Sequence, residues 1–271
     1  MKKVLLFLMA QVLVVLVFAS SSLAEDFPLR TKYPQLTPIS TADLLAGYDS
    51  TIVVDVRSTM EFDVAHVSKA KHISVSKKSF LSDLEKVRAK GGSALIAFYC
   101  NGTTCAKSYK AADAATQAGF KNVRVYDAGI FSWITENPEK GTLLGKSPAD
   151  PAKLISKADL KKRMLTYNDF KAKAEAGNVV VVDVRDPLQR AKATDLPQNK
   201  AIKLKGVREI PMDRMVKLIE KKQFQDKTLL VLDAVGKQVR WLQYYLEDKG
   251  YTNYFFLEKG VLGASNAGGV K

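Results

Sequence analysis

The sequence predicts an α/β fold in two tandem copies, each a parallel sheet with helices on both faces. Three observations support this prediction. Short β-branched runs recur along the chain, helical patterns alternate with them, and the same series of elements occurs twice. The β-branched runs do not alternate with polar residues, which is typical of strands buried on both faces.

The two copies begin with nearly identical strands. Residues 51–57 read Thr-Ile-Val-Val-Asp-Val-Arg, and residues 179–185 read Val-Val-Val-Val-Asp-Val-Arg. A short helical pattern precedes each run. We interpret Asp55 and Arg57 as an ion pair at the strand end that fixes the neighbouring loops, rather than as catalytic residues.

The later elements repeat in the same order. Residues 93–99 match residues 228–232 as a second strand, and residues 118–126 match residues 249–257 as a glycine turn followed by a third strand. In both copies the glycine follows a helical pattern, where a left-handed C-cap favours this residue. The repeat therefore predicts strands joined by helices throughout both copies.

The N-terminus has the pattern of an export signal. Two lysines precede an apolar run that extends to Phe18, and small residues lead to Ala24. This pattern predicts a signal peptide over residues 1–24, cleaved after Ala24. An uncleaved anchor is the alternative, although the run is shorter than the roughly 20 residues that span a bilayer. We expect a periplasmic or secreted protein without stable membrane insertion after cleavage.

Composition also divides the rest of the chain. Residues 141–158 contain two glycines and two prolines without a sustained apolar period, which predicts an interdomain linker. We therefore expect domains over residues 25–140 and 159–271, the first opening with an extended arm at residues 25–39.

The chain is strongly basic, with a formal net charge of +14. Nucleic acid is not expected as a partner of an exported chain. The lysines are spread along the sequence and often stand beside acids, so a solvated basic surface is the favoured interpretation. Steering of an anionic substrate is the alternative.

The only two cysteines are Cys100 and Cys105. Cys100 ends a predicted strand and precedes a helix expected to begin near Ala106. Ligands of open α/β sheets bind at the carboxyl ends of the strands, and loop N–H groups with a helix N-terminus favour thiolate over thiol. The pair could close a disulfide, but so short a loop is a poor structural cross-link. We therefore interpret the pair as chemical rather than structural.

The first copy carries five motifs in an order that resembles the rhodanese family. The resemblance covers residues 38–136 and is weaker in the second copy. The motifs are Asp55-Val-Arg57, Glu61-Phe62, Ala65-His66-Val67 with Ala70 and His72-Ile73, Tyr99-Cys100, and Asn122-Val123 with Ala128-Gly129-Ile130 and Trp133.

The resemblance implies a sulfurtransferase in which Cys100 is the catalytic residue and carries a persulfide. The persulfide-binding loop would consist of Asn101, Gly102, Thr103, Thr104 and Cys105, with Lys107 as an anion contact just outside it. Many members of the family carry a cation within this loop, and here there is none, so thiosulfate is one candidate donor among several. The expected partners are a small sulfur-containing anion or thiol and a sulfur-accepting protein. No cofactor or metal is expected.

Two alternatives remain open at this stage. The chain could carry sulfur to a partner without turnover, or it could be a thiol redox protein in which Cys105 resolves a Cys100 persulfide or sulfenate. The other interpretation of Cys105 is a small residue packed at the helix start. We expect His66 and His72 to have hydrogen-bonded structural roles, because the family's chemistry requires no histidine base.

The second copy has no cysteine, and Asp233 follows its strand where Cys100 follows the first. A carboxylate cannot carry sulfane sulfur, so we expect the second copy to be inactive. Lys237 and Arg240 could line a cleft that faces the first domain, although a solvated or structural role is favoured.

Overall fold

A computed structural model describes residues 26–191 and 196–271. The predicted signal peptide lies outside these residues. The first half of the chain contains the elements α1 Thr41–Ala46, β1 Ile52–Asp55, α2 Thr59–Val64, β2 Ala65–Val67, β3 Lys71–His72, α3 Phe80–Gly91, β4 Ile96–Tyr99, α4 Lys107–Gln117, β5 Val123–Tyr126, α5 Gly129–Glu136 and β6 Gly141–Leu143.

The second half repeats most of this series and begins with an additional helix and strand. Its elements are α6 Lys157–Lys162, β7 Met164–Leu165, α7 Tyr167–Ala174, β8 Val179–Asp183, α8 Pro187–Ala191, β9 Arg208–Glu209, α9 Met212–Glu220, β10 Thr228–Leu232, α10 Val239–Asp248, β11 Tyr254–Leu257 and α11 Gly260–Asn266. Short 3₁₀ turns occur at Arg30–Lys32, Pro138–Lys140, Pro151–Lys153 and Pro197–Asn199.

Each half is built on a parallel sheet, as predicted. The first sheet has the order β3-β1-β4-β5 and the second the order β7-β11-β10-β8-β9. The registers agree with the repeat, since Val54 lies beside Phe98 in the first sheet and its counterpart Val182 lies beside Val231 in the second. Four of the strands, β1, β4, β8 and β10, are buried along nearly their whole length, which explains why their sequences do not alternate.

The edges beside β5 and β11 are also equivalent. Strand β7 pairs with β11 in the second half. In the first half the N-terminal segment takes this place, because Ile39 donates its amide to the Val125 carbonyl at 2.9 Å and Pro38 forms a parallel bridge with Val125. The predicted extended arm therefore ends as a partner of the sheet, although it contains a 3₁₀ turn.

The predicted linker is partly folded onto the first half. Strand β6 pairs antiparallel with β2, and Leu143 is buried there. A cis Ser147–Pro148 peptide and a 3₁₀ turn follow before α6 begins. A three-residue strand is too short to show a periodic pattern, so the composition of residues 141–158 indicated only a connection.

The two halves share a hydrophobic cluster. Trp241 and Tyr244 of α10 pack with Tyr99 and Trp133 of the first half, and all four side chains are buried. The Tyr244 hydroxyl also accepts a hydrogen bond from the Ile155 amide at 3.0 Å. Helix α10 is therefore part of the first half's core as well as its own.

Candidate active site

Cys100 lies directly after β4, at the carboxyl end of the first sheet. It is only 1% exposed, and its carbonyl accepts the Ile130 amide at 3.0 Å. The predicted loop residues 101–105 connect it to α4, which begins at Lys107 with Ala106 as its N-cap. The helix thus begins within one residue of the predicted position.

The two cysteines form a disulfide, with their Cα atoms 6.2 Å apart. Cys105 lines the cleft described below, whereas Cys100 is buried beneath it. The Cys105 amide donates to the Gly102 carbonyl at 2.9 Å, which closes the loop into a tight turn. In this form Cys105 lines the cleft and Cys100 does not.

A chain of polar contacts joins the end of β1 to the loop. The buried Arg57 guanidinium donates to Asp55 Oδ2 at 2.6 Å and to Asn101 Oδ1 at 3.0 Å. The Asn101 amide then donates to Glu61 Oε1 at 2.7 Å, and Lys107 Nζ lies 3.1 Å from Glu61 Oε2. The predicted Asp55–Arg57 ion pair is confirmed, and its contact with Asn101 shows how it fixes the loop.

Glu61 is the member of this network that the sequence did not reveal as a site residue. Burial alone would raise the pKa of its carboxyl, but the charge of Lys107 and the Asn101 hydrogen bond outweigh this and lower the pKa to about 2. Glu61 also forms a capping box with Ser58 at the start of α2. The Ser-x-x-Glu spacing after Arg57 was the available signal, but it indicates a helix start and does not point to the loop.

Lys107 has a different contact from the one expected. It was predicted as an anion contact, and in the structure it forms an ion pair with Glu61. Its side chain is 40% exposed, so it still lies at the cleft surface. Because the carboxylate already compensates its charge, Lys107 offers an incoming anion less than a free cation would.

Several amides of the loop after Cys100 have no partner. Within the described part of the chain, the backbone N–H groups of Gly102, Thr103 and Thr104 donate no hydrogen bond. Successive free amides form a concave donor surface that suits an anion. The loop therefore has the chemistry of an anion cradle.

Gly129 supports this loop from below. It has a φ of +78°, and a Cβ there would overlap the Gly102 amide nitrogen and the Asn101 carbonyl carbon. Gly260 has the same relation to the second half's loop, with a φ of +56° and no room for a Cβ beside Asp233. Glycine is needed at both positions for conformation and for close approach.

The corresponding loop of the second half contains an internal anion. The carboxylate of Asp233 is buried and accepts hydrogen bonds from four backbone amides, those of Val235, Gly236, Gln238 and Val239. Burial raises the pKa of Asp233, while the four N–H groups act in the opposite direction. A carboxylate thus occupies the second cradle where a cysteine sulfur would otherwise lie.

A cleft with a volume of about 1260 Å³ separates the two loops. Both halves line it, with Asn101, Thr104 and Cys105 on one side and Gly236, Lys237 and Arg240 on the other. Trp241 also lines the cleft and lies with its ring 5.4 Å from the Arg57 guanidinium carbon. The sequence had favoured solvated or structural roles for Lys237 and Arg240, and both lie in the wall of this cleft.

Both histidines form hydrogen bonds to the backbone. His66 Nδ1 lies 2.7 Å from the Phe62 carbonyl, and His72 Nε2 lies 3.0 Å from the Arg57 carbonyl. The Phe62 ring stacks on both imidazoles. These contacts agree with the structural roles predicted for the histidines.

A family model described as the rhodanese-like domain matches the chain twice, over residues 38–136 and 166–267. The chain belongs to the rhodanese-like family. Both halves are rhodanese-like domains, as the repeat and the two parallel sheets predicted. The resemblance seen in the sequence is therefore confirmed at the level of the family.

The chain also matches solved structures. The BH2092 protein from Bacillus halodurans is 26% identical, with 49% of this chain and 94% of that chain covered and a TM-score of 0.36. A thiosulfate sulfurtransferase from Pseudomonas aeruginosa is 18% identical, with 86% of this chain and 43% of that chain covered and a TM-score of 0.36. YnjE is 12% identical, with 89% of this chain and 68% of that chain covered and a TM-score of 0.31.

The search of curated proteins found no match. Across residues 26–191 and 196–271, no helix has the length and apolar character needed to cross a membrane. Within the same residues, no group of three or more His, Cys, Asp or Glu side chains is placed to hold a metal ion.

Proposed function

We propose that this protein is a sulfurtransferase that moves sulfane sulfur through a persulfide on Cys100. In the first step the Cys100 thiolate attacks the outer sulfur of a donor such as thiosulfate. The donor's sulfur–sulfur bond breaks, its electron pair leaves with sulfite, and a Cys100 persulfide remains. In the second step a thiophilic acceptor such as cyanide or a thiolate takes the outer sulfur and releases the Cys100 thiolate.

One observation carries this proposal. The loop after Cys100 has free amides at Gly102, Thr103 and Thr104. The corresponding loop of the second half uses its amides to hold the Asp233 carboxylate. The second loop supports the view that this backbone binds an anion at the residue following the strand. The same groups in the first loop would stabilise the negative charge of a thiolate and of a persulfide.

The disulfide defines the condition for activity. Cys100 becomes a nucleophile only after a thiol reductant has opened its bond to Cys105. Thiol exchange depends on which sulfur can be reached. Because Cys105 lines the cleft and Cys100 is buried, the reductant attacks Cys105 and Cys100 leaves as the thiolate.

The proposal includes an exported location, periplasmic or secreted, on the basis of residues 1–24. The expected partners are a small sulfur-containing anion or thiol and a sulfur-accepting protein. Residues 1–24 contain two lysines and no acid, so the exported chain would keep a net charge of +12, which supports attraction of anionic donors.

Intact-mass measurement of the reduced protein tests the proposal. After incubation with thiosulfate or polysulfide, we expect the mass to rise by one sulfur atom, and we expect cyanide to remove it as thiocyanate over many turnovers. The Cys100→Ser variant should do neither. Unchanged turnover in Cys100→Ser would contradict the proposal, and a stable persulfide without turnover would indicate a sulfur carrier.

The disulfide itself favours a second candidate, a thiol redox protein that uses Cys100 and Cys105. It predicts a reversible disulfide whose reduction or oxidation is coupled to a partner dithiol. The Cys105→Ala variant separates the two functions, because it abolishes dithiol exchange and leaves Cys100 able to carry sulfur. Full sulfur turnover in this variant under reducing conditions would favour the sulfurtransferase.

A further inference from the structure

Arg240 is a cation of the cleft without a compensating carboxylate. It lies in the first turn of α10, and its guanidinium carbon lies 4.1 Å from the centre of the Phe131 ring in the first half. Its Nε atom is buried without a hydrogen-bond partner. No described acid forms an ion pair with it, and burial lowers its pKa because the charge is partly removed from water.

The internal repeat explains why this charge is free. Arg240 follows Asp233 by seven residues, just as Lys107 follows Cys100. Lys107 is paired with Glu61, which stands four residues after Arg57. The residue four positions after Arg185 is Gln189, which is neutral, so the second half lacks the carboxylate that would pair with Arg240.

Arg240 belongs to the second half, but it also contacts the first half close to the Cys100 loop. Phe131, on which its guanidinium stacks, follows Ile130, whose amide binds the Cys100 carbonyl. Arg240 lines the same cleft as Asn101 and Cys105. The stacking fixes the guanidinium at the wall of the cleft while its outer N–H groups remain available.

The other charges of the cleft do not cancel Arg240. Four further acids line the cleft, and all of them are exposed to solvent, where water screens their charge. They are Asp63, Asp186, Asp213 and Glu220. The loop from Asn101 to Ala106 contains no cation. Lys110, Lys217 and Lys237 also line the cleft, but all three are exposed, whereas Arg240 is half-buried. A donor anion entering the cleft therefore meets a part-buried positive charge on the second half.

We propose that Arg240 binds the oxyanion end of the sulfur donor, so that the domain without a cysteine supplies the donor specificity of the other domain. The substrate class is a sulfane sulfur attached to a sulfonate-type group, as in thiosulfate or a thiosulfonate. The guanidinium holds the oxygens while the outer sulfur faces Cys100, and sulfite or sulfinate leaves with the electron pair of the broken bond. This inference rests on the proposed sulfurtransferase function.

The test compares Arg240→Gln, Arg240→Lys and Arg214→Gln, each combined with Cys105→Ala so that Cys100 is the single thiol. Arg214 lies exposed on α9 outside the cleft lining and serves as the matched control. The rate of sulfur loading onto Cys100 is measured by intact mass over a range of thiosulfate concentrations. Alkylation of Cys100 by uncharged iodoacetamide and by anionic iodoacetate is measured in parallel.

We expect Arg240→Gln to raise the half-saturating thiosulfate concentration about tenfold or more, the effect of losing one charge-assisted contact. Arg240→Lys should recover part of this loss, and Arg214→Gln should match the parent protein. The ratio of iodoacetate to iodoacetamide rates should fall in Arg240→Gln only.

Three outcomes would overturn the inference. The first is an Arg240→Gln variant whose loading depends on thiosulfate concentration as in the parent protein. The second is an Arg240→Gln variant in which alkylation by iodoacetamide slows as much as alkylation by iodoacetate, which would show a merely structural role. The third is a parent protein that accepts sulfur from polysulfide but not from thiosulfate, which leaves the proposed function standing. A parent protein that loads from no donor would instead contradict the sulfurtransferase function itself.

Discussion

The two loops after β4 and β10 occupy the same place in two copies of one fold, yet the residue that follows each strand is held differently. In the first, Cys100 stands beside free amides and is held as a disulfide. In the second, the Asp233 carboxylate uses four amides of its own loop. The comparison indicates that the second loop's backbone binds a negative charge at this position. Under the proposed function, the first loop would do the same for a Cys100 thiolate.

The surroundings of the two loops differ in a complementary way. Glu61 holds both the first loop and Lys107, whereas the neutral Gln189 leaves Arg240 unpaired. The first half thus fixes its loop with its own charges. The second half leaves the half-buried Arg240 without an ion-pair partner among the described residues, in the wall of the cleft that both halves line.

The largest expected effect distinguishes the two side chains that follow the strands. Cys100→Ser should lower sulfur transfer to the rate without protein, because a hydroxyl cannot form a persulfide. Asp233→Asn should leave transfer at the wild-type rate per folded molecule. Thiocyanate production from thiosulfate and cyanide measures both, and transfer lost in Asp233→Asn as in Cys100→Ser would mean that both loops take part.

The supporting glycines allow a matched pair of variants. Gly129→Ala and Gly260→Ala should each lower the free energy of unfolding by about 2–4 kcal/mol, since both combine positive φ with backbone overlap. Gly129→Ala should also slow sulfur loading by about tenfold or more, because it displaces the Cys100 loop. Urea unfolding and intact-mass kinetics measure these effects. Equal loss of loading in Gly260→Ala would contradict the assignment of activity to one loop.

Asp233→Ala tests whether the second cradle depends on its carboxylate. Four amides would lose their acceptor, so we expect a loss of about 1–3 kcal/mol in the free energy of unfolding. Burial raises the pKa of Asp233, because holding the charge away from water costs free energy. We therefore expect the loss of stability to lie in the lower part of this range. Stability unchanged by the substitution would show that the carboxylate is dispensable.

The smallest expected effect concerns Glu61 and depends on pH. Its folded-state pKa of about 2 lies below the ordinary value of 4.5, so the ionised carboxyl stabilises the fold above pH 4.5 and this contribution is lost as the pH falls toward 2. Glu61→Gln should therefore cost about 1–2 kcal/mol at pH 7. Its difference from wild type in urea unfolding should shrink between pH 4.5 and 2. A difference that is constant over this range would exclude the carboxylate as its source.

Most of the fold could be predicted from the sequence, because the evidence for it is local or repeated. The runs ending at Asp55 and Asp183 show their burial by lacking alternation, and the repeat assigns both copies at once. Strand β6 could not be predicted, since its three residues become a strand only through pairing with β2. The sequence also left open whether Cys100 and Cys105 form a disulfide, because spacing alone does not fix the distance between two thiols.

The sequence predicted only those site residues that lie in one continuous segment. Cys100 and the loop residues are consecutive, so a strand followed by a helix was enough to place them. Glu61 and Asn101 are 40 residues apart, and their contact depends on α2 packing beside the loop. The contact of Arg240 with Phe131 depends on how the two halves meet, which no pattern within either copy describes.

The shared cluster around α10 has a consequence for the first copy when it is separated from the second. Trp241 and Tyr244 complete the packing around Trp133, so a gene encoding the first copy alone would yield a domain with an apolar face open to water. Such a fragment would be prone to aggregation, and heating the intact chain should melt both copies in one transition. The absence of a cysteine therefore does not make the second copy disposable, because its helix α10 closes the core of the first copy.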